Sequence, residues 1–421
     1  MKSLPERIKT SAVRPSDLQG LSRLVIDAIT GVTGVVESVH YTVLHMQVTS
    51  KTPVLPGGGL RFIYRSITQV TRVTGVVLDT LLEALVPLVE SGKSSFARDT
   101  VLAAINGVLG DYLESSGSPL AIPMTFRKHG QPVELKQTSL AAAYPRATQK
   151  VMVLAHGLCM SDLQWGRDET QTESETGTQG TEEAIRYARM AEALGYTPLF
   201  LHYNSGRHIS TNGREFSSLL DTLVQQWPVP ITELVVVGHS MGGLITRSAC
   251  YYGAQAQSHW LTLLKTIVFL GTPHHGSPLE RGGNWIDRAL GANTYTEPFA
   301  RLGKIRSAGI TDLRYGYLLD EDWQGRDRFK HIKDHRQLLH LPAGVRCYAV
   351  AATTAKEPGG IAENRLGDGL VPVSSALGHH KVPELQLPIP LTHQWVAYGT
   401  SHFGLLGRYA VYQKIESWLK Q

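Results

Sequence analysis

The stretch Gly238-His239-Ser240-Met241-Gly242 has the residue types and spacing of a nucleophile held on a sharp strand-to-helix turn. Residues 231–237 before it are mostly aliphatic and read as a buried strand; residues 243–249 after it read as the start of a helix. The chemistry needs that shape. A tight turn lifts the Ser240 hydroxyl above the sheet edge, and glycine at 238 and 242 avoids collision with the neighbouring helix and strand. The N–H of Met241 then points at an oxyanion developing on the attacked group. A glycine-rich turn that only breaks the chain is the plainer reading. The strand before it and the helix after it favour catalysis.

A serine hydroxyl is a weak nucleophile. It needs a base, and the base needs an orienting acid. Behind such an elbow the chain order is Ser, acid, His, each on a loop after a strand. Asp368, between Gly367 and Gly369, is either a turn residue or that acid, and its place in the order favours the acid. His402, in Ser401-His402-Phe403-Gly404, follows a predicted strand at 395–398 and is the expected base. His393, which precedes that strand, is its competitor. His379 and His380 come too soon after Asp368 and read as loop residues. The expected catalytic set is Ser240, Asp368 and His402.

A second oxyanion donor should follow the strand at 150–155. The N–H of Leu158 is the expected one, with Gly157 allowing a tight turn and His156 shaping it. His156, Gly157, Gly238, His239 and Gly242 are therefore read as elbow and loop support. The loop Gly271-Thr272-Pro273-His274-His275-Gly276-Ser277 invites a metal reading. Adjacent histidines rarely aim at one ion, so it reads as a structural loop flanking the pocket, with no metal and no cofactor.

These residues must be positioned by alternating strands and helices. Short strands are predicted at 121–126 and 133–135 around a His129-Gly130 turn. Further strands follow at 150–155, 197–203, 231–237, 266–270 and 344–353, with helices between them, over 181–194 and from a cap at Asn212. That rhythm means a mostly parallel sheet with helices on both faces. An amphipathic helix with Tyr409, Tyr412, Ile415 and Leu419 closes the chain. Residues 272–342 form an irregular excursion between late strands. Its aromatics, Trp285, Tyr295, Phe299, Tyr315, Tyr317 and Trp323, suit a cap over an apolar pocket or plain core. The polar stretch 168–180 reads as a flexible insertion, or more sharply as a flap.

The set Ala155-His156-Gly157, Gly238 to Gly243, the 271–277 loop, Gly367-Asp368-Gly369-Leu370-Val371-Pro372 and Ser401-His402-Phe403-Gly404-Leu405 resembles a bacterial α/β-hydrolase of the lipase/carboxylesterase type. It is also similar to the hydrolase domain of the GPI inositol-deacylase family. The resemblance covers residues 120 to 421. It implies an α/β-hydrolase fold and a serine carboxylic-ester hydrolase working through an acyl-enzyme, on a small-molecule or lipid ester. An acyltransferase on the same triad is the alternative within the fold, and a non-catalytic lipid-surface binding protein the alternative outside it.

Residues 1–117 are expected to be a helical region and 118–421 the catalytic domain. A Ser16 to Gln19 capping box opens the first apolar stripe, a second runs from Ile63 to Leu85, and a third carries Leu102, Ile105, Leu109, Tyr112 and Leu113. These stripes need cover. The hydrolase domain or a second copy in a homodimer is preferred over a membrane surface, because the intervening charges are mostly acidic.

The 421 residues carry a formal charge of +5 from 41 basic and 36 acidic side chains, without a dense basic run, which disfavours nucleic acid as a partner. Three scattered cysteines argue against a disulfide framework. The first residues lack a signal-peptide core and no long apolar run occurs, so a cytoplasmic protein, with a membrane-peripheral one as the variant, is expected.

Overall fold

The computed structural model describes residues 95–165, 185–277, 306–328, 333–358 and 367–421. The first two helical stripes, the 168–180 insertion, and Trp285, Tyr295 and Phe299 of the excursion lie outside the described residues.

In chain order the strands are β1 (Thr125–Lys128), β2 (Gln131–Pro132), β3 (Lys150–Ala155), β4 (Thr197–His202), β5 (Glu233–His239), β6 (Leu264–Leu270), β7 (Arg346–Thr353) and β8 (Gln394–Tyr398). They form one sheet in the order β2-β1-β4-β3-β5-β6-β7-β8. Pairings from β4 through β8 are parallel, and the β1–β2 hairpin is antiparallel, as is its junction with β4. The longer helices are α1 (Ser95–Ser115), α2 (Gln137–Ala143), α3 (Ile185–Ala193), α4 (Ile209–Gln226), α5 (Met241–Gln255) and α6 (Tyr409–Leu419).

The central strands are apolar at nearly every position because both sheet faces are covered. Alternation along β5 divides the core. Leu234 and Val236 face one cluster with Val151, Val153, Ile267 and Phe269, closed by α1, α4 and α5. Val235 and Val237 face the other with Met152, Leu154, Val268 and Leu270, closed by α3 and α6. Parallel strands joined by helices bring every strand's C-terminal end to one edge of the sheet, where the loops that carry chemistry gather.

Two expectations need correction. The hairpin strands sit at 125–128 and 131–132 rather than 121–126 and 133–135. His129 (φ 50°) and Gly130 (φ 72°) form a two-residue turn with both φ positive, which pairs the residues directly beside it, Lys128 with Gln131. Asn212 does not cap α4. The helix starts three residues earlier, and buried Asn212 donates from Nδ2 to the Asn204 carbonyl at 2.9 Å. In the described part of the 272–342 excursion, read as either cap or core, Tyr317 is buried, while Trp323 stacks on His208 with centroids 3.6 Å apart and donates Nε1–H to Ser210 Oγ.

The third apolar stripe is α1, and it is buried beyond one face. Val101, Ala104, Ile105, Val108 and Leu113 are in the same core as the sheet, while Tyr112 at the far end is 40% exposed. A helix apolar around most of its girth belongs inside, not on a surface.

Candidate active site

Ser240 follows β5 directly and sits at φ 53°, ψ −121°. A non-glycine residue there is strained, and the surroundings hold it. Its N–H donates to the Leu270 carbonyl at the end of β6 (2.8 Å), and the Gly243 N–H donates to the Ser240 carbonyl (3.1 Å). The flanking glycines are required for space. A Cβ on Gly238 would lie 2.6 Å from Gly243 Cα, and one on Gly242 would lie 2.2 Å from the Ala155 carbonyl oxygen. The helix start leaves the Met241 N–H without an intrahelical partner.

Asp368 is both turn residue and acid-like partner. Gly367 (φ 51°) and Gly369 (φ 97°) fold the loop back, and Asp368 Oδ1 accepts from the N–H groups of Leu370 (2.9 Å) and Val371 (2.7 Å). That fixes the carboxylate so that Oδ2 accepts from His402 Nδ1 at 2.6 Å. The loops are also joined through the backbone, His402 N–H to the Asp368 carbonyl at 3.0 Å. With Nδ1–H committed to a carboxylate, Nε2 carries the lone pair, which is the tautomer a base requires.

The end of β6 brings Ser240 and His402 together. Leu270 accepts from Ser240, and a Cβ on the next residue, Gly271 (φ 57°), would lie 3.2 Å from His402 Nδ1 and Cε1. A side chain at 271 would press on Leu405 Cδ1 (2.8 Å) as well as on the imidazole. Ser240, Asp368 and His402 are all nearly fully buried, at 2–3% exposure. Water is scarce there, so charge interactions in the site are strong.

The loop after β3 lies against the elbow from the other side. Gly157 packs closely on the elbow: a Cβ would be 3.0 Å from Ser240 Cβ and 3.2 Å from His239 Nδ1. The tight turn expected at Gly157 is instead taken by Cys159, at φ 58°. Cys159 donates its N–H to Ser205 Oγ at 3.1 Å, and Tyr203 OH donates to the His156 carbonyl at 2.7 Å. Leu158, between them, is buried.

The supporting histidines are neutral. His156 stacks on Tyr203, with centroids 4.3 Å apart, and burial pulls it down to about 4. His239 is held well below the ordinary histidine range by burial and then by His402 beside it. Its Nε2 lies 3.1 Å from the His402 carbonyl oxygen, which can only accept, so Nε2 is the protonated nitrogen. Nothing local in the sequence marks the His239 contact, whose reach to the His402 loop spans more than 160 residues.

The competing histidines lie elsewhere. His393 Nδ1 is 3.2 Å from the Cys347 carbonyl and its ring packs on Tyr348 at 4.2 Å, near the opposite ends of the strands from Ser240. His274 Nδ1 faces Arg247 (3.4 Å) and His275 Nδ1 faces Arg336 (3.1 Å), and burial first of all holds both rings low, His275 at about 3. Two guanidiniums on the ring nitrogens oppose a cation. His380 Nε2 also meets Arg336, at 3.3 Å.

The sheet order, the elbow between β5 and α5 and the late acid and histidine loops define an α/β-hydrolase fold. Residues 146–340, less than half the chain, match the family model described as a PGAP1-like alpha/beta domain, and the chain resembles that family. No curated protein matches the sequence. Three solved structures are loosely similar. Mature lipase BlEst2 of Bacillus licheniformis is 17% identical over 65% of this chain and 93% of its own, with a TM-score of 0.39. Aspergillus fumigatus lipase B is 11% identical over 69% of this chain and 59% of its own, with a TM-score of 0.38. The Pyrococcus furiosus esterase Pf2001 is 11% identical over 65% and 79%, with a TM-score of 0.36. Among the described residues no helix is long and apolar enough to cross a membrane.

Proposed function

We propose that the protein is a serine carboxylic-ester hydrolase acting on a small-molecule or lipid ester. The observation that carries this reading is Ser240 in a strained left-handed conformation, between glycines that admit no side chain, at the start of a helix. Strain of that kind costs about 1–3 kcal/mol and persists where a function uses it.

In the proposed mechanism Ser240 Oγ attacks the acyl carbon while His402 Nε2 takes its proton. Asp368 holds Nδ1–H and stabilises the imidazolium. The N–H groups of Met241 and Leu158 receive the oxyanion. His402 then returns the proton to the leaving alcohol, and water, activated by the same histidine, releases the acid and restores Ser240. Neutral His156 and His239 put no competing charge beside the imidazolium.

A p-nitrophenyl ester series tests the activity and its acyl-length preference. A fluorophosphonate should label Ser240, as read by mass spectrometry of the peptide, and EDTA should leave turnover intact. No turnover on any chain length, with no label on Ser240, would refute the reading.

A further inference from the structure

Leu158 directly precedes Cys159, so whatever fixes the Cys159 N–H and turn anchors the C-terminal side of Leu158. That turn is strained, with a side-chain-bearing residue at φ 58°. The residues that hold it come from far away in the sequence. Ser205 Oγ takes the Cys159 N–H at 3.1 Å. Helix α1 covers the same residue through Gly107, where a Cβ would lie 2.2 Å from Cys159 Sγ and 3.0 Å from both its Cα and its N. One turn further, Gly110 admits Asn204, whose Nδ2 donates to the Gly110 carbonyl at 2.8 Å.

The helix is also pinned on the far side of the turn. Arg127 Nη2 binds Asp99 Oδ2 of α1 at 2.7 Å, and Arg127 Nη1 binds Asp162 Oδ1 at 2.8 Å. All three side chains are less than a tenth exposed. Asp162 lies three residues beyond Cys159 in a short helical turn that Ser161 and Gln164 cap reciprocally. Ser307 Oγ donates to the Gly107 carbonyl at 2.6 Å and fixes the helix along its length. Thus α1 grips the 156–162 loop at Cys159 and at Asp162. It precedes residues 146–340, the part that matches the hydrolase family model.

We propose that α1 is a positioning element of the oxyanion site: its Gly107 seam and its Asp99–Arg127–Asp162 bridge hold the Cys159 turn so that the Leu158 N–H faces the reacting carbonyl. The proposal rests on the hydrolase reading above and assigns catalytic geometry to the N-terminal region. Gly107 is a positioning residue, acting through Cys159.

The test is steady-state ester hydrolysis by the full chain, with sites counted by fluorophosphonate titration to completion, so that kcat is expressed per intact Ser240. Gly107→Ala should lower kcat about tenfold or more, since losing one oxyanion donor altogether costs roughly 10²–10³. KM should stay within about threefold, because only the transition state uses that donor. The phosphonylation rate should fall in parallel while its end point is unchanged. Adding Cys159→Gly to that variant removes Sγ and suits φ 58°, so it should restore most of the lost kcat. A Gly107→Ala enzyme with wild-type kcat, or a double variant no faster than the single one, overturns the proposal. If Gly107→Ala yields no folded chain, Ser205→Ala is read instead: a severalfold drop in kcat at constant KM is expected, and an unchanged kcat overturns the proposal. Wild-type turnover and labelling test the hydrolase reading separately; with both present, the variant kinetics bear on α1 alone, and with both absent the two readings fall together.

Discussion

The two sides of the site are built differently. On one side stand the loops of Ser240, Asp368 and His402. The turns at Ser240 and Asp368 carry glycines at 238, 242, 367 and 369, and the Asp368 carboxylate is bonded to the N–H groups two and three residues on, while His402 is placed by Asp368 and His239. On the other side stands the 156–162 loop, whose turn is held by Ser205, by Gly107 of α1 and by Arg127. Both sides use long-range contacts, but the turns at Ser240 and Asp368 also carry local glycine signals, and the turn at Cys159 carries none. A change in α1 should therefore reach chemistry through the second side.

The largest effect should come from the Ser240 side. Ser240→Ala and His402→Ala should each lower kcat by roughly 10⁴ or more, and the double variant should lose little further, because a triad acts as a unit. Additive losses in the double variant would mean that the two residues do not share one proton transfer. They would also break the comparison, since the Ser240 side would then not be one working unit.

Acid should act next, and on both sides at once. Buried His156, His202, His239, His274 and His275 all have folded-state values below 6.5, chiefly through burial. For a depressed histidine the unfolded chain takes the proton first, so its contribution is fully present above 6.5 and is lost as pH falls toward the folded value. For His156 that window runs from 6.5 to about 4, at about 1.4 kcal/mol per pH unit once the unfolded histidine is charged. Asp162, Asp312 and Asp322 work the other way. Burial raises all three, Asp162 to about 6 despite Arg127, so they recover stability as pH falls below their folded values. Five histidines against three carboxylates give a net loss, and Tm should drop between pH 7 and pH 5. A Tm flat across that range would mean that these rings are not buried neutral, and the packing of His156 and His239 about Ser240 would need to be redrawn.

Legibility followed the same division. The elbow strand and helix, the Asp368 turn and the late histidine were readable because glycine spacing, aliphatic runs and chain order are local signals. Strand ends were less so: the His129-Gly130 turn was recognised, yet a two-residue turn with both φ positive pulls the strands up to it, away from the apolar runs at 121–126 and 133–135. Asn212 misled because a capping residue type also serves as a buried tie to Asn204. Nothing local marks Cys159 as the residue that turns. Its conformation follows from Ser205 and Gly107, some 50 residues away on either side. The coupling of the Ser161 to Gln164 turn to α1 through Arg127 has no local signal either.

The smallest expected effect is at His393, the histidine that chain order alone could not separate from His402. It lies where β7 and β8 begin, with Nδ1 3.2 Å from the Cys347 carbonyl and its ring on Tyr348. Ser240 follows the other end of its strand, so the length of the sheet separates them. His393→Ala removes one half-buried ring contact and one hydrogen bond, which costs about 1–2 kcal/mol of stability. It takes no group from the site. Its kcat on the preferred p-nitrophenyl ester should stay within about twofold of wild type, with a modest fall in Tm. His402→Ala should show the reverse pattern, a near-complete loss of kcat in a folded chain, read by circular dichroism. If His393→Ala lost activity as His402→Ala does, the base would have to be reached from the far edge of the sheet, and the short bond between His402 and Asp368 would be structural alone.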